Sequence, residues 1–269
     1  MIATMAVTVL GALTRPGPTR AFRVCADPND LPNSDRAERG YENRIAALVA
    51  HDLGDTVEYT WYPQMRGFVR KTLNTGVCDV IMGVPAHYDP VLTTAPYFRT
   101  TYALVYRADR GYHITSLDDP KLRSLRIGVH VIGDDYQNTP AATALAARGI
   151  VDRVVGFPIV GDYGQSAPRA KIIDAVARGT IDVAIVWGPL AGYFATRERV
   201  PLTVVPLGDR PDSSGAVFAF DIAVGVRHRD TALAATIDSV LERERPAIRR
   251  ILHDYGVPVL DEDGGREKQ

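Results

Sequence analysis

The chain has 269 residues, and 46% of its side chains are apolar, so it can bury one large core or two smaller ones. This composition argues against a disordered protein. The 31 basic and 32 acidic side chains nearly cancel, so the chain lacks the basic excess that binding to phosphate backbones requires. The charge balance excludes a typical nucleic-acid-binding protein and gives no support for binding to a membrane surface.

The first segment, residues 1–21, has the pattern of a signal peptide. An apolar run from Ile2 to Leu13 is followed by Pro-Gly-Pro at positions 16 to 18, and Thr19-Arg20-Ala21 offers a cleavage site. The run is too short to span a bilayer, which needs about 20 apolar residues. We therefore expect an exported, periplasmic protein that has lost this segment. A buried N-terminal helix is the alternative, against which the Pro-Gly-Pro argues.

Two cysteines, Cys25 and Cys78, remain after this segment. An even number of cysteines in an oxidising compartment permits a disulfide, and both lie on predicted strands of the same unit. Two buried free thiols are the alternative, because the sequence does not give the Cα separation on which a bridge depends.

Strand and helix patterns then alternate in the order of a βαβαβ unit. The predicted elements are a strand at 22–26, a helix at 41–53, a strand at 57–61, a helix from about Arg66 to Thr75 and a strand at 79–84. Val57, Tyr59 and Trp61 alternate as the buried side of a strand does. The last strand is almost wholly apolar, which is typical of a parallel strand covered on both faces.

The same order recurs in a second unit. Its predicted elements are a strand at 125–129, a helix capped by Thr139 with Pro140 at its first position, a strand at 154–157, a helix carrying Ile172, Ile173 and Val176, and a strand at 182–187. The repeat is visible in individual residues as well, because Gly76-x-x-Asp79-Val80 is matched by Gly179-x-x-Asp182-Val183. The chain is therefore predicted to contain a duplicated α/β unit.

The remaining segments connect the two units into two lobes. Residues 100–111 are predicted to cross between the two units as a strand, and residues 217–226 to form another strand that leads back. Helical residues 231–255 follow, and Pro246 should split them into two helices. We expect lobe 1 at 22–108, lobe 2 at 109–216 and a return to lobe 1 at 217–269. Two crossing strands make relative motion of the lobes the default expectation.

The sequence contains no motif that would indicate an enzyme. It lacks the nucleophile elbow G-x-S-x-G, the phosphate-binding motifs G-x-G-x-x-G and G-x-x-x-x-G-K-[ST], and the metal-binding motifs H-E-x-x-H and C-x-x-C. The six histidines are scattered, with no pair at the helical i, i+4 spacing of metal ligands. We therefore expect no catalytic residues, no metal and no cofactor.

The loops that follow the parallel strands are the candidate binding site, because open α/β sheets bind ligands at the carboxyl ends of their strands. From lobe 1 the candidates are Asp27, Asn29, Arg66, His87 and Tyr88; from lobe 2 they are His130, Asp134, Asp135, Tyr136, Trp187 and Tyr193. The aromatic residues could stack on a planar ligand or contact a protein partner. The alternative for the histidines is that they are solvated loop side chains, and for Trp187 it is ordinary packing. Asp134 and Asp135 could bind a cation, but a solvated acidic rim is the simpler interpretation.

Several long segments resemble one known family. They are CADPNDLPNS, YPQMRGFVRKTLNTGVCDVIMGVPAHYDPVLTTAPYFRTTYALVYRAD, SLDDPKLRSLRIGV, IGDDYQNTPAATALAARGI, IDVAIVWGPLAGYFA and FDIAVGVRHRD. They are similar to the MxaJ/XoxJ family, which comprises periplasmic accessory proteins encoded with quinoprotein methanol dehydrogenases, the enzymes that use pyrroloquinoline quinone (PQQ). The resemblance covers nearly the whole chain after residue 21. It implies the two-lobed fold of type II solute-binding proteins.

The resemblance also implies a function. Amino-acid-binding members of the wider fold use an arginine after the first-lobe strand and an aspartate after the second-lobe strand. Here residues 87–90 and 187–189 occupy those places, so the charged clamp is missing. The implied partner is a PQQ-dependent methanol dehydrogenase, with the lanthanide-dependent type among the candidates and its c-type cytochrome as a second candidate partner. The alternatives are a transport receptor for a small uncharged or aromatic solute, and a dehydratase using carboxylates of the cleft.

Overall fold

The computed structural model describes residues 20–132, 137–159 and 163–260. The first βαβαβ unit contains β1 (Ala21–Ala26), β2 (Asn29–Asp30), β3 (Ser34–Asp35), α1 (Tyr41–Leu53), β4 (Thr56–Trp61), α2 (Phe68–Lys71), β5 (Val80–Pro85) and β6 (Leu92–Thr93), and it is followed by the long strand β7 (Phe98–Arg107). The predicted signal peptide lies almost wholly outside the described residues. Among those that are described, no helix is long and apolar enough to cross a membrane.

The second unit and the return segment complete the chain. They contain β8 (Ile127–Ile132), β9 (Gln137–Asn138), α3 (Pro140–Ala147), β10 (Val154–Pro158), α4 (Lys171–Ala177), β11 (Val183–Trp187), α5 (Gly188–Ala195), β12 (Leu202–Pro206), β13 (Ala219–Val226), α6 (Thr231–Arg243) and α7 (Arg245–Asp254). The predicted cap is confirmed, because the Thr139 hydroxyl accepts a hydrogen bond from the Ala142 amide at the start of α3. Pro246 separates α6 from α7 as predicted.

Eleven strands of the described chain form one sheet that passes through both units. Its main path runs in the order β10-β8-β11-β7-β13-β5-β1-β4. Residues 98–101 of β7 pair with β13, whereas residues 102–107 pair with β11 and β12. We use lobe 1 for the part built on β1, β4 and β5 and lobe 2 for the part built on β8, β10 and β11. The expected α/β architecture of two lobes joined by crossing strands is confirmed.

Each lobe packs helices onto both faces of its part of the sheet. In lobe 2, Val183 and Ile185 face one core while Ala184 and Val186 face another, so β11 is buried on both sides as a parallel strand should be. In lobe 1, the larger core lies against α1, α6 and α7, and Val57, Tyr59 and Trp61 pack against it. These buried faces hold the strands in place, and the carboxyl ends of β1, β5, β8 and β11 carry the candidate site.

The glycine and aspartate that recur in the two units each bind an arginine, and we call these two contacts the arginine clamps. The Arg23 guanidinium donates to both Asp79 oxygens at 2.8 Å and to the Gly76 carbonyl at 3.0 Å. The Arg126 guanidinium donates to both Asp182 oxygens and to the Gly179 carbonyl in the same manner. In both lobes a two-pronged ion pair therefore joins the start of the first strand to the turn before the last strand, which explains the repeated glycine and aspartate.

The predicted helix from about Arg66 to Thr75 is wrong in its extent. The α-helix covers only residues 68–71, and a short 3₁₀ turn follows at 73–75. Gly67 has a positive φ of 85°, which delays the start of the helix. At its end, the Thr72 hydroxyl donates to the Phe68 carbonyl at 2.7 Å, and the Thr72 backbone leaves the helical region.

Helix α5 of lobe 2 packs very closely against the C-terminal segment, residues 255–260. A β-carbon on Gly188 would lie 2.1 Å from the Thr101 carbonyl oxygen, and one on Gly192 would lie 1.8 Å from that of Gly256. Thr100 and Val259 form a bridge that ties the same segment to β7. We call this contact the α5 seam. Its two glycines leave no room for a side chain, so the backbone of α5 lies in direct contact with those of Thr101 and Gly256.

The structure joins Cys25 and Cys78 in a disulfide, with their Cα atoms 5.5 Å apart. The bridge connects β1 to the turn before β5 and packs with Phe68, Leu73 and Val84. Of the two alternatives that the sequence left open, the structure therefore contains the bridge.

Removing this disulfide should destabilise the protein. The two cysteines are 53 residues apart, so their link restricts the unfolded chain, and we expect the double variant Cys25→Ala/Cys78→Ala to lose about 4 kcal/mol of unfolding free energy. Urea unfolding followed by circular dichroism measures the loss. Wild-type protein whose thiols have been freed by reductant should lose a similar amount. Equal stability of the oxidised and fully reduced forms would contradict a stabilising role.

Candidate functional site

Asp27 organises the lobe 1 side of the cleft. It follows β1 directly and is almost fully buried. Its Oδ1 accepts a hydrogen bond from the Asn29 amide at 2.8 Å, and its Oδ2 accepts one from the Gln64 amide at 2.6 Å. One carboxylate therefore fixes two strand-end loops, the one after β1 and the one after β4.

Lobe 2 contacts these loops across the cleft through residues 163–169. The Tyr163 hydroxyl donates to Asp27 Oδ2 at 2.7 Å. The Asn29 side chain donates to the Gln165 carbonyl at 2.6 Å and accepts from the Ala167 amide at 3.2 Å. We call the contacts between residues 27–30 and 163–169 the latch. The latch engages Asp27 and Asn29, two of the five residues predicted to line the lobe 1 side.

An ion pair between Arg169 and Asp30 lies at the centre of the latch. Arg169 Nη1 is 2.7 Å from Asp30 Oδ1, and Arg169 Nε donates to the Ile159 carbonyl at 3.1 Å. Asp30 also accepts a hydrogen bond from the Asn33 side chain at 2.9 Å. Burial raises the pKa of Asp30 to about 6, although the charge of Arg169 opposes this increase. The pair crosses the cleft, so closure of the lobes is what brings it together.

Glu42 is a second carboxyl at the floor of the cleft. It lies in the first turn of α1, and its side chain reaches β5 so closely that a β-carbon on Gly83 would be 2.1 Å from Glu42 Oε1. The pKa of Glu42 is raised to about 8, mainly by burial and in part by the nearby charge of Asp30, while the charge of Arg169 opposes both effects. At neutral pH Glu42 is therefore mostly protonated.

His130 was predicted to lie in the loop after the strand at 125–129, but β8 continues to Ile132, so His130 lies within the strand and is almost fully buried. Burial lowers its pKa to about 4, and the positive charge of Arg169 lowers it in the same direction. The imidazole is therefore neutral at physiological pH. Its backbone carbonyl accepts the Thr139 hydroxyl at 2.8 Å, which ties β8 to the start of α3. His130 therefore adds no positive charge beside Arg169.

The aromatic candidates of lobe 2 lie in packed clusters. Trp187 is half-buried and contacts Tyr102 and Phe220 of the crossing strands, with ring centroids 5.4 and 5.9 Å away. Tyr193 was predicted to lie in a strand-end loop, but it belongs to α5 and is buried at the α5 seam. Its ring stacks on Tyr255 at 5.5 Å, and the Arg197 guanidinium lies 3.5 Å from the centre of the Tyr193 ring. Both residues connect the lobes through ring contacts.

The other lobe 1 candidates lie outside the latch. Arg66 and Tyr88 line a groove of about 710 Å³ on lobe 1, between α2 and the loop after β5. His87 is an exposed residue of that loop and has a positive φ of 61°. The structure thus separates the predicted residues into the latch, the aromatic clusters and this groove. Asp134, Asp135 and Tyr136 lie outside the described residues.

Four residues of the latch region were not among the predicted site residues: Asp30, Glu42, Tyr163 and Arg169. Asp30 lies in the loop after β1 that the sequence did indicate, and Glu42 follows it in the first turn of α1. Tyr163 and Arg169 come from a loop without regular pattern, so nothing local marked them. Among the described residues, no group of three or more histidine, cysteine, aspartate and glutamate side chains is placed to hold a metal ion.

The raised pKa of Glu42 predicts a pH-dependent stability. The folded protein holds a proton on Glu42 that the unfolded chain releases above its ordinary pKa of 4.5, so stability should fall as pH rises towards about 8. Between about pH 6.5 and about pH 8 we expect wild type to lose about 1 to 2 kcal/mol. His130 opposes this loss by only about 0.4 kcal/mol, because the unfolded chain still holds part of a proton on it at pH 6.5 and the folded protein does not. Urea unfolding at each pH measures this change.

Glu42→Gln should remove most of this pH dependence, since glutamine does not titrate. Glu58→Gln, which changes an exposed carboxyl on β4, should keep the wild-type slope and serves as the matched control. An unchanged slope in the Glu42 variant would show that its proton is not bound as described.

Comparisons with known proteins agree with this architecture. No protein-family model matches the chain. Protein MoxJ of Methylorubrum extorquens AM1 is 33% identical over 251 residues, which cover 89% of this chain and 81% of that protein. The crystal structure of MxaJ from Methlophaga aminisulfidivorans MPT matches with a TM-score of 0.78 and 26% identity, over 89% of this chain and 100% of that one.

The crystal structure of the periplasmic binding protein XoxJ from Methylobacterium extorquens AM1 matches with a TM-score of 0.73 and 33% identity. The match covers 90% of this chain and 100% of that one. The fold is therefore that of type II periplasmic binding proteins, as the sequence predicted. The identity and the coverage together show that the chain belongs to the MoxJ/MxaJ/XoxJ family of periplasmic-binding-protein-like proteins.

Proposed function

We propose that this protein is a periplasmic accessory protein that binds a PQQ-dependent methanol dehydrogenase and supports its assembly or activation, without catalysing a reaction itself. Membership of the MoxJ/MxaJ/XoxJ family supports the association with methanol oxidation. The structural observation that carries the proposal is the latch. Its contacts use the polar lobe 1 groups that would otherwise be available to a solute.

The strand-end residues give a second line of support against a conventional amino-acid receptor. Residues 87–90 follow β5 and residues 187–189 follow β11, where the wider fold would supply a charged clamp. Trp187 is instead engaged with Tyr102 and Phe220, and Pro189 begins α5. A protein without the clamp and with its cleft closed by its own side chains is better suited to recognising another protein.

The compartment is part of the same proposal. A disulfide between Cys25 and Cys78 is typical of proteins that function outside the reducing cytosol. The solved relative XoxJ is described as a periplasmic binding protein. We propose export to the periplasm by the segment at residues 1–21, which would place the protein with the dehydrogenase and its c-type cytochrome.

Binding to the dehydrogenase is the direct test. Surface plasmon resonance with purified PQQ-dependent methanol dehydrogenase, in both apo and holo forms, should detect a complex with a dissociation constant of about 1 µM or tighter. A type II amino-acid-binding protein immobilised at equal density is the control and should give no signal. Absence of binding to both enzyme forms by a folded sample would refute the proposed function, and binding of the lanthanide-dependent enzyme alone would identify the class served.

A thermal-shift screen distinguishes the proposal from a solute receptor. A ligand present at 100 times its dissociation constant stabilises a protein by about 2.7 kcal/mol, which such a screen detects readily. Because Asp27, Asn29 and Asp30 are engaged with lobe 2, we expect no shift from small uncharged or aromatic solutes. A reproducible shift that Arg169→Met abolishes would instead favour a receptor with a ligand in the cleft.

A further inference from the structure

The groove on lobe 1 is a preformed site distinct from the latch. It lies between α2 and the loop after β5, with a volume of about 710 Å³. Phe68 and Val84 line it and are almost fully buried. Both pack in the same cluster as the disulfide of Cys25 and Cys78, so a covalent link supports the floor of the groove. A ligand would therefore meet a rigid surface.

The mouth of the groove exposes two large apolar side chains. Met65 is 40% exposed and Tyr88 is 39% exposed, and both line the groove. A flexible thioether and an aromatic ring that stay in contact with water are typical of surfaces that receive another apolar group. The apolar part of the site is thus suited to one side chain of a partner placed between Met65 and Tyr88.

The charge of the groove is positive. Arg66 and Arg70 line it, and none of the residues described as lining it carries a carboxylate. Within the described parts of the chain Arg70 forms no ion pair, and neighbouring Lys71 lies over the Tyr62 ring at 5.6 Å instead of meeting an acid. Arginines at the latch and in the two clamps, by contrast, are neutralised by aspartates. The groove therefore complements a negatively charged partner.

The described residues of lobe 2 leave the groove uncovered while the lobes are closed. No described residue of lobe 2 lines it, so the latch does not cover it. The loop after β4 nevertheless belongs to both sites, because the Gln64 amide donates to Asp27 in the latch region while Gln64 also lines the groove. Occupation of the groove can thus be measured separately from opening of the cleft.

We infer that this groove binds an extended acidic segment of a partner protein, which inserts one apolar side chain between Met65 and Tyr88 and places a carboxylate against Arg70. The inference follows from the shape and charge of the groove. It does not depend on the proposed association with the dehydrogenase, which could bind through another surface.

Fluorescence anisotropy with a defined probe tests the inference. The probe is a short fluorescein-labelled peptide in which aspartates flank a single tryptophan, and it should bind the full chain with a dissociation constant in the micromolar range. Arg70→Glu should weaken binding at least about tenfold, because it removes a charge-assisted contact and adds repulsion. Arg249→Glu changes an exposed arginine on α7 by the same charge and should bind the probe as wild type does.

Two further comparisons test the apolar and charged parts separately. Replacing the tryptophan of the probe by serine should weaken binding by about tenfold, as should Tyr88→Ala, a change at an exposed position that leaves the core intact. A peptide with lysines in place of aspartates should not bind. Equal binding of the serine probe would overturn the inference, since it would reduce the site to nonspecific charge attraction.

The position of the bound probe completes the test. Amide chemical-shift changes in the NMR spectrum should concentrate at residues 64–70 and 83–90. Changes concentrated at residues 27–30 and 163–169 would overturn the inference, because they would place the peptide in the cleft. If the dehydrogenase binds wild type and Arg70→Glu equally and the probe does not bind at all, the groove is refuted while the proposed function stands.

Discussion

The closed arrangement of the lobes depends on the ion pair between Asp30 and Arg169 across the cleft. Removing two charges from water costs several kcal/mol for each ion, and only close contact and additional hydrogen bonds repay that cost. The Asn33 side chain and the Ile159 carbonyl supply such bonds on the two sides. In an open cleft both charges would be solvated by water, so forming the pair contributes little net free energy to closure. Its main effect is to fix the relative orientation of the two lobes.

The fold was largely predictable because its signals are local. A threonine before a proline predicted the start of α3, Pro246 predicted the break between α6 and α7, and the repeated glycine and aspartate predicted the duplication. The α2 region was overpredicted because apolar spacing does not register the positive φ of Gly67 or the competing hydroxyl of Thr72. Periodicity reports which face is buried, but the chain's own hydrogen bonds decide where a helix stops.

The site was only partly predictable, for a related reason. Asp27 and Asn29 follow a strand whose carboxyl end must face the cleft, so topology alone identified them. Arg169 meets Asp30 from a different lobe, and such a pair depends on how two lobes close rather than on spacing along the chain. Glu42 was missed because a glutamate in the first turn of a helix is common, and only Gly83 beneath it shows that this one is held at the floor of the cleft.

The two clamps and the latch lie at opposite ends of the parallel strands. Arg23 and Arg126 secure the turns before the last strand of each unit, where a mutation would weaken the lobe itself. The loops at the other end differ between the two units, with Asp30 and Glu42 in one lobe and Arg169 in the other. The contacts that stabilise each lobe are therefore separate from the loops that would decide what the protein binds.

The α5 seam has a consequence for how any partner is recognised. A binding protein that closes around its ligand uses part of the binding free energy to order its two lobes. Here the backbones are already in contact at Gly188 and Gly192, so this ordering cost is small. A partner would then bind to a preformed surface with little change in backbone conformation. Shape complementarity would decide which partner binds, and diffusion would set the upper limit of the association rate. Any partner must therefore fit the surface as it stands, since the closed lobes have little freedom to adapt to it.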